Sequence, residues 1–138
     1  MRRALFAGLA ACAAAAVLAA PAAAFDHHFT VVSQTISDHQ SKDGYHFSER
    51  LLSPHNRNNS VGRDKGVCTG PSRGGKVHCL VVVHLSGDIG GRGSLVVKGN
   101  LGRHDNTLNV VSGDGGLNGA GGKVLIKSHH RIHFDITR

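Results

Sequence analysis

From residue 25 onward, apolar residues come in short runs separated by Gly, Asn, Asp, Ser and Pro, and no long stretch repeats them at helical spacing. The runs predict eight strands, at 28–36, 44–52, 60–69, 76–86, 93–100, 107–112, 122–128 and 131–137. Polar loops such as "SPHNRNN" and "LGRHDN", and glycine turns such as "SGDIGG", divide them. Eight consecutive short strands in roughly 110 residues suit an antiparallel barrel or sandwich.

Alternation sorts the two faces. Tyr45, Phe47, Glu49 and Leu51 share one side of the second strand. Val77, Cys79, Val81, Val83 and Leu85 make an unbroken apolar face on the fourth. Leu95 with Val97, Leu108 with Val110, Val124 with Ile126, and Ile132 with Phe134 and Ile136 extend it. The opposite faces carry His78, His84, Lys98, Asn109, Lys123, Lys127, His133 and Asp135. One apolar lining and one polar exterior favour an all-β fold closed into an up-and-down barrel with a greasy interior.

The first 24 residues break this pattern. Arg2 and Arg3 precede the apolar run Ala4 to Ala20, and Pro21-Ala22-Ala23-Ala24 ends in A-x-A. That is the form of a secretory signal peptide cut between Ala24 and Phe25, which leaves a barrel domain at 25–138 that is extracellular or periplasmic. Leu9-Ala10-Ala11-Cys12 resembles a lipoprotein box but sits too early in the run. No second hydrophobic span follows, so no membrane span is expected in the mature chain.

Composition then narrows the partners. Without Arg2 and Arg3 the chain has 14 basic and 9 acidic residues, a charge of +5. The charges are scattered, and Tyr45 is the only aromatic besides four phenylalanines downstream of the leader. Nucleic-acid binding wants clustered cations and stacking aromatics, so no specific nucleic-acid partner is expected. Cys68 and Cys79 flank a Gly/Pro turn in an exported chain, which predicts one disulfide across a hairpin. Neither C-x-x-C nor zinc spacing is present.

The stretch "SGDGGLNGAGG" (112–122) holds six glycines in eleven positions. A phosphate cradle needs its glycines at a helix N-terminus, whereas "KVLIKS" reads as a strand. "GPSRGGK" (70–76) matches G-x-x-x-x-G-K, but Val77 stands where the Mg²⁺-binding Ser/Thr belongs. A calcium β-roll repeat lacks its Asp and has no second unit. Neither nucleotide nor calcium is expected there.

The segment does resemble a signature, V-x-G-G-x-G-x-[FY]-x-G-A-x-G, of the bacterial allene-oxide-cyclase-barrel-like proteins, the plant allene oxide cyclases and the dirigent proteins. "GYHFSERLL" (44–52), "VGRDKGVC" (61–68), the "HC" ending at Cys79 and "GSLVVKGN" (93–100) follow the family's order. Asp114 replaces a glycine, Leu117 stands where an aromatic is usual, and the first strand lacks the carboxylate of the plant cyclases. The resemblance implies a trimer-prone eight-stranded barrel whose apolar pocket guides cyclisation or coupling of a small molecule, without a cofactor. The alternative is a non-catalytic exported barrel that binds an apolar ligand or the cell surface.

Glu49 is the leading catalytic candidate, since it shares a face with Phe47 and Leu51 and matches the position of a water-anchoring Asn in the plant cyclases. A carboxylate in an apolar lining has a raised pKa, which suits acid–base work near neutrality. Pairing with Arg50 or Arg63 would make Glu49 structural instead. Asp64, on the face of Cys68, matches an Asp of the bacterial relatives and is the second candidate; a hydrogen-bonded structural role is its alternative. Tyr45, Phe47, Leu51, Val81, Val83 and Phe134 are the expected ligand-contacting residues, with Tyr45 at the rim. Eleven histidines are unusual. A closed barrel would bring His27 and His28 beside His129 and His133, but no spacing matches a ligand motif, so no metal site is assigned.

Overall fold

The computed structural model describes residues 26–71 and 75–138. The predicted leader, Cys12 and the cleavage site lie outside the described residues. Eight strands run in order: β1 (Asp26–Ser41), β2 (Gly44–Leu52), β3 (Ser60–Thr69), β4 (Val77–Ser86), β5 (Arg92–Leu101), β6 (Thr107–Gly115), β7 (Gly121–Lys127) and β8 (Arg131–Thr137). They form a closed antiparallel barrel in sequence order, β8 returning to β1. The expected fold class is therefore the observed one.

The alternation does the work of closure. On β4, Cys79, Val81, Val83 and Leu85 are buried while His78, Leu80, His84 and Ser86 are exposed. The buried set meets Leu95 and Val97 of β5, Val124 of β7, and Ile132, Phe134 and Ile136 of β8 in one core. Phe29 of β1 stacks on Phe134 with ring centroids 4.8 Å apart. Cys68 and Cys79 are direct cross-strand partners, joined as a disulfide.

The two ends of the barrel differ. The β2–β3, β4–β5 and β6–β7 connections lie at one end, which is plugged by Leu117 from the β6–β7 turn, a side chain with no exposed surface. Fully burying a leucine is worth about 1.5–3 kcal/mol. The glycines around it make the plug fit. Gly115, Gly119 and Gly122 have φ of 61°, 76° and 112°, where side chains are disfavoured. A Cβ on Gly113 would collide with the Leu117 carbonyl. Hydrogen bonds from the Leu117 amide to the Asp114 carbonyl (3.0 Å) and from the Ala120 amide to the Leu117 carbonyl (3.0 Å) hold the turn.

Two strands run beyond their predicted ends. β6 continues to Gly115, because Gly113, Asp114 and Gly115 pair with Leu95, Ser94 and Gly93. β1 continues five residues past 36, through a bulge at Ile36, paired with β2 alone. Its pairing with β8 stops at Val32. The segment "SDHQS" carries no apolar alternation because this overhang is wet on both faces.

Candidate functional site

The other end of the barrel is open. A cavity of about 330 Å³ enters there between the β1–β2, β3–β4, β5–β6 and β7–β8 connections. Its walls are mostly aliphatic: Val81 and Val83 of β4, Val97 and Leu101 of β5, Leu108 of β6, Val124 and Ile126 of β7, and Ile132 and Phe134 of β8. β2 and β3 supply the polar side of the wall.

On those two strands the register sets the site. Tyr45, Phe47, Glu49 and Leu51 of β2 face Cys68, Gly66, Asp64 and Gly62 of β3. Gly66 is required by its neighbours, since a Cβ there would lie 2.7 Å from Phe47 Cε1 and 2.9 Å from Val81 Cγ2. The missing side chain gives the Phe47 ring its place over β3. Glu49 and Asp64 stand directly opposite each other, both turned into the cavity.

Their environments differ. Asp64 is 3% exposed, and its Oδ1 is buried without a hydrogen-bond partner. Loss of hydration pushes its carboxyl up to about 7, the negative charge of Glu49 adds to the rise, and the Glu49 backbone amide opposes it. Glu49 itself is half-buried, and its Oε1 accepts a hydrogen bond from Thr35 Oγ1 at 3.4 Å. No ion pair joins Glu49 to Arg50 or Arg63 among the described residues. The buried carboxyl expected at Glu49 is thus found at Asp64. The reason is lateral cover: Asp64 lies between Glu49 of β2 and Val83 of β4, whereas Glu49 has Thr35 of the β1 overhang on its other side.

The remaining candidates are divided by depth. Phe47, Val81, Val83 and Phe134 line the cavity as expected, and Cys68 does so beside its disulfide. Tyr45 is at the rim, exposed, with its hydroxyl donating to Asp38 Oδ2 at 2.7 Å. That bond to the Asp38 carboxylate raises the phenol's pKa, with smaller contributions from desolvation and from the charges of Asp38 and Glu49. Leu51 does not reach the cavity. It sits one inward step beyond Glu49, paired with Gly62, and is consumed by the packed core.

Four lining residues lay outside the sequence expectation: Ser33, Leu101, Lys127 and His130. Lys127 has outward parity on its strand but is the last residue of β7, where its side chain reaches the rim. His130 belongs to the β7–β8 turn, and its carbonyl accepts a 2.7 Å hydrogen bond from the Ser33 amide. The anticipated histidine gathering does not form: His28 pairs with Asp135 at 2.9 Å, and His133 meets Thr30 Oγ1 at 3.0 Å. His27 and His28 are adjacent on β1 and take opposite faces. No group of three or more metal-ligating side chains occurs among the described residues.

The chain matches no family model and no curated protein. Solved structures do match it. A pyocyanin demethylase aligns with a TM-score of 0.60 and 16% identity, over 80% of this chain and 99% of that one. The pterocarpan synthase dirigent protein aligns with a TM-score of 0.55 and 14% identity, over 83% and 94%. The barrel is dirigent-like. At these identities the likeness concerns architecture, and the chemistry rests on the residues described above.

Proposed function

We propose that this barrel takes an apolar small molecule through its open end and isomerises it by proton transfer, in the manner of a cofactor-independent cyclase. The observation that carries this reading is Asp64, a buried carboxyl with one oxygen unpartnered, facing an apolar cavity opposite a second carboxyl. Burying such a group without a partner is costly, so its retention calls for a use.

The step balances without a redox partner. Protonated Asp64 gives its proton to an electron-rich oxygen or carbon of the ligand, while the Glu49 carboxylate takes one from a neighbouring carbon. A bond order shifts or a ring closes between them. Proton exchange between the facing carboxyls then restores both. The aliphatic walls contribute by fixing the ligand in one reactive shape and excluding water. Lysine, histidine and tyrosine at the mouth (Lys127, His130 and Tyr45) orient the ligand's polar end. Two barrels of this form are named as a demethylase and as a pterocarpan synthase, which supports the reading of a small-molecule site. In this reading the barrel is exported, with Phe25 as its first residue.

The test separates binding from chemistry. N-phenyl-1-naphthylamine, a neutral apolar fluorophore, should bind the cavity in the wild type and in Asp64→Asn alike. Mass-neutral rearrangement of a panel of apolar epoxides, enones and phenols, followed by NMR, should fall by about 10²-fold or more in Asp64→Asn and in Glu49→Gln. Fluorophore binding with no rearrangement by the wild type would leave the chain a non-catalytic carrier.

A further inference from the structure

A second concavity lies on the outside of the barrel. Its volume is about 470 Å³, and it is framed by Arg50 of β2, Arg57 and Asn58 of the β2–β3 loop, Gln34 of β1, and His129 and His130 of the β7–β8 turn. Its floor is Val32 and Leu52, which pair across β1 and β2 on the outer face and yet are 7% and 6% exposed. Among the described residues none that lines it is acidic, and neither arginine is held by a carboxylate.

Two features show that this cluster is built. The β2–β3 loop is tied down by hydrogen bonds from Ser53 N to Asn59 O (3.0 Å), Asn59 N to Asn56 O (2.9 Å) and Asn58 N to Asn56 Oδ1 (3.0 Å). These fix the backbone that presents Arg57 and Asn58. Across the groove, His129 and His130 have φ of 60° and 59°, the only positive values at non-glycine residues among those described. Glycine or asparagine would occupy those positions with less strain, and strain of this kind collects at ligand clamps.

We infer that this groove binds a multivalent oxyanion, of the phosphate or sulfate type. Arginine forks match oxyanion geometry with paired N–H donors, and the amides of Gln34 and Asn58 and the imidazole N–H groups add further donors. The apolar floor excludes water beneath the anion and strengthens each contact. The site is distinct from the barrel cavity, although His130 and Ser33 border both.

The probe is inorganic pyrophosphate, titrated calorimetrically at low salt, with acetate as the monovalent control. Saturable pyrophosphate binding is expected in the wild type and in Asp64→Asn. Arg50→Ala and Arg57→Ala should each weaken it about tenfold, and Lys98→Ala, on the outer face of β5, should not. His129→Gly relieves the backbone while removing the imidazole. It should therefore leave the melting temperature unchanged or raised, and weaken binding several-fold. Absence of saturable binding, binding of acetate equal to that of pyrophosphate, or equal loss in Lys98→Ala would overturn the assignment.

Discussion

Replacing Asp64 with Asn should reshape the pH dependence of stability, and the expected size follows from burial. The folded-state value of about 7 stands against an ordinary 3.8. At 1.36 kcal/mol per pH unit that span is about 4 kcal/mol. An acid with a raised folded-state pKa holds its proton more tightly when folded. Below pH 3.8 both states are protonated, and titration of Asp64 costs nothing. Between 3.8 and about 7 the unfolded chain has released the proton and the folded chain has kept it, so stability falls as pH rises. Above about 7 both are ionised and the loss is complete. Asparagine keeps the shape and removes the ionisation. Urea unfolding of wild type and Asp64→Asn from pH 4 to pH 8 isolates the effect, because the other titrating groups are common to both. The difference in unfolding free energy should move by up to about 4 kcal/mol in favour of the variant across that range. Glu49→Gln should shift the midpoint of this change downward, since its charge helps to raise Asp64. Parallel wild-type and Asp64→Asn profiles would show that Asp64 is hydrated or paired, and the acid–base reading would lose its basis.

Leu117→Ala removes the closed-end plug and should cost about 2–5 kcal/mol in urea unfolding. Gly122→Ala places a Cβ against the Asp135 carbonyl at a φ of 112°, and should destabilise the barrel by about 1–3 kcal/mol or more. Replacing Cys68 and Cys79 with serine opens a short loop and should cost about 3 kcal/mol, while peptide mapping without reductant should find the two linked in the wild type. Calorimetric titration with Ca²⁺ should show no saturable binding, and any heat from ATP should be lost in Arg50→Ala and Arg57→Ala, because the backbone of the glycine stretch serves the plug.

The sequence pattern was most informative where strands are covered on one face and wet on the other. β4 is the clearest case: every second residue from Cys79 to Leu85 is buried, and parity alone reveals it. Parity fails where that contrast disappears. The β1 overhang is wet on both sides, so no alternation marks it as strand beyond residue 36. Gly113 and Gly115 carry no side chains and leave Asp114 alone between them, so no alternation marks the end of β6. Lys127 and His130 reach the cavity from a strand end and a turn, where period two no longer governs direction.

Depth is the quantity that parity cannot supply, and it separates the two carboxylates. Glu49 and Asp64 have the same inward orientation, so parity does not say which lies deeper. Their ranking depends on how far β1 continues its pairing with β8, which is settled by the stagger of the closed barrel. Because that pairing ends at Val32, Thr35 beside Glu49 has no strand on its far side, and Glu49 is less covered there. Asp64 has β2 on one side and β4 on the other. Leu117 shuts the opposite end, where Gly113 leaves room for the Leu117 backbone. Among the described residues, a barrel closed at the Leu117 end and open at the other leaves its cavity one entrance. Any molecule that reaches Asp64 must pass Tyr45, Lys127 and His130 on the way in, so rim substitutions should change entry while Asp64→Asn changes what happens after it.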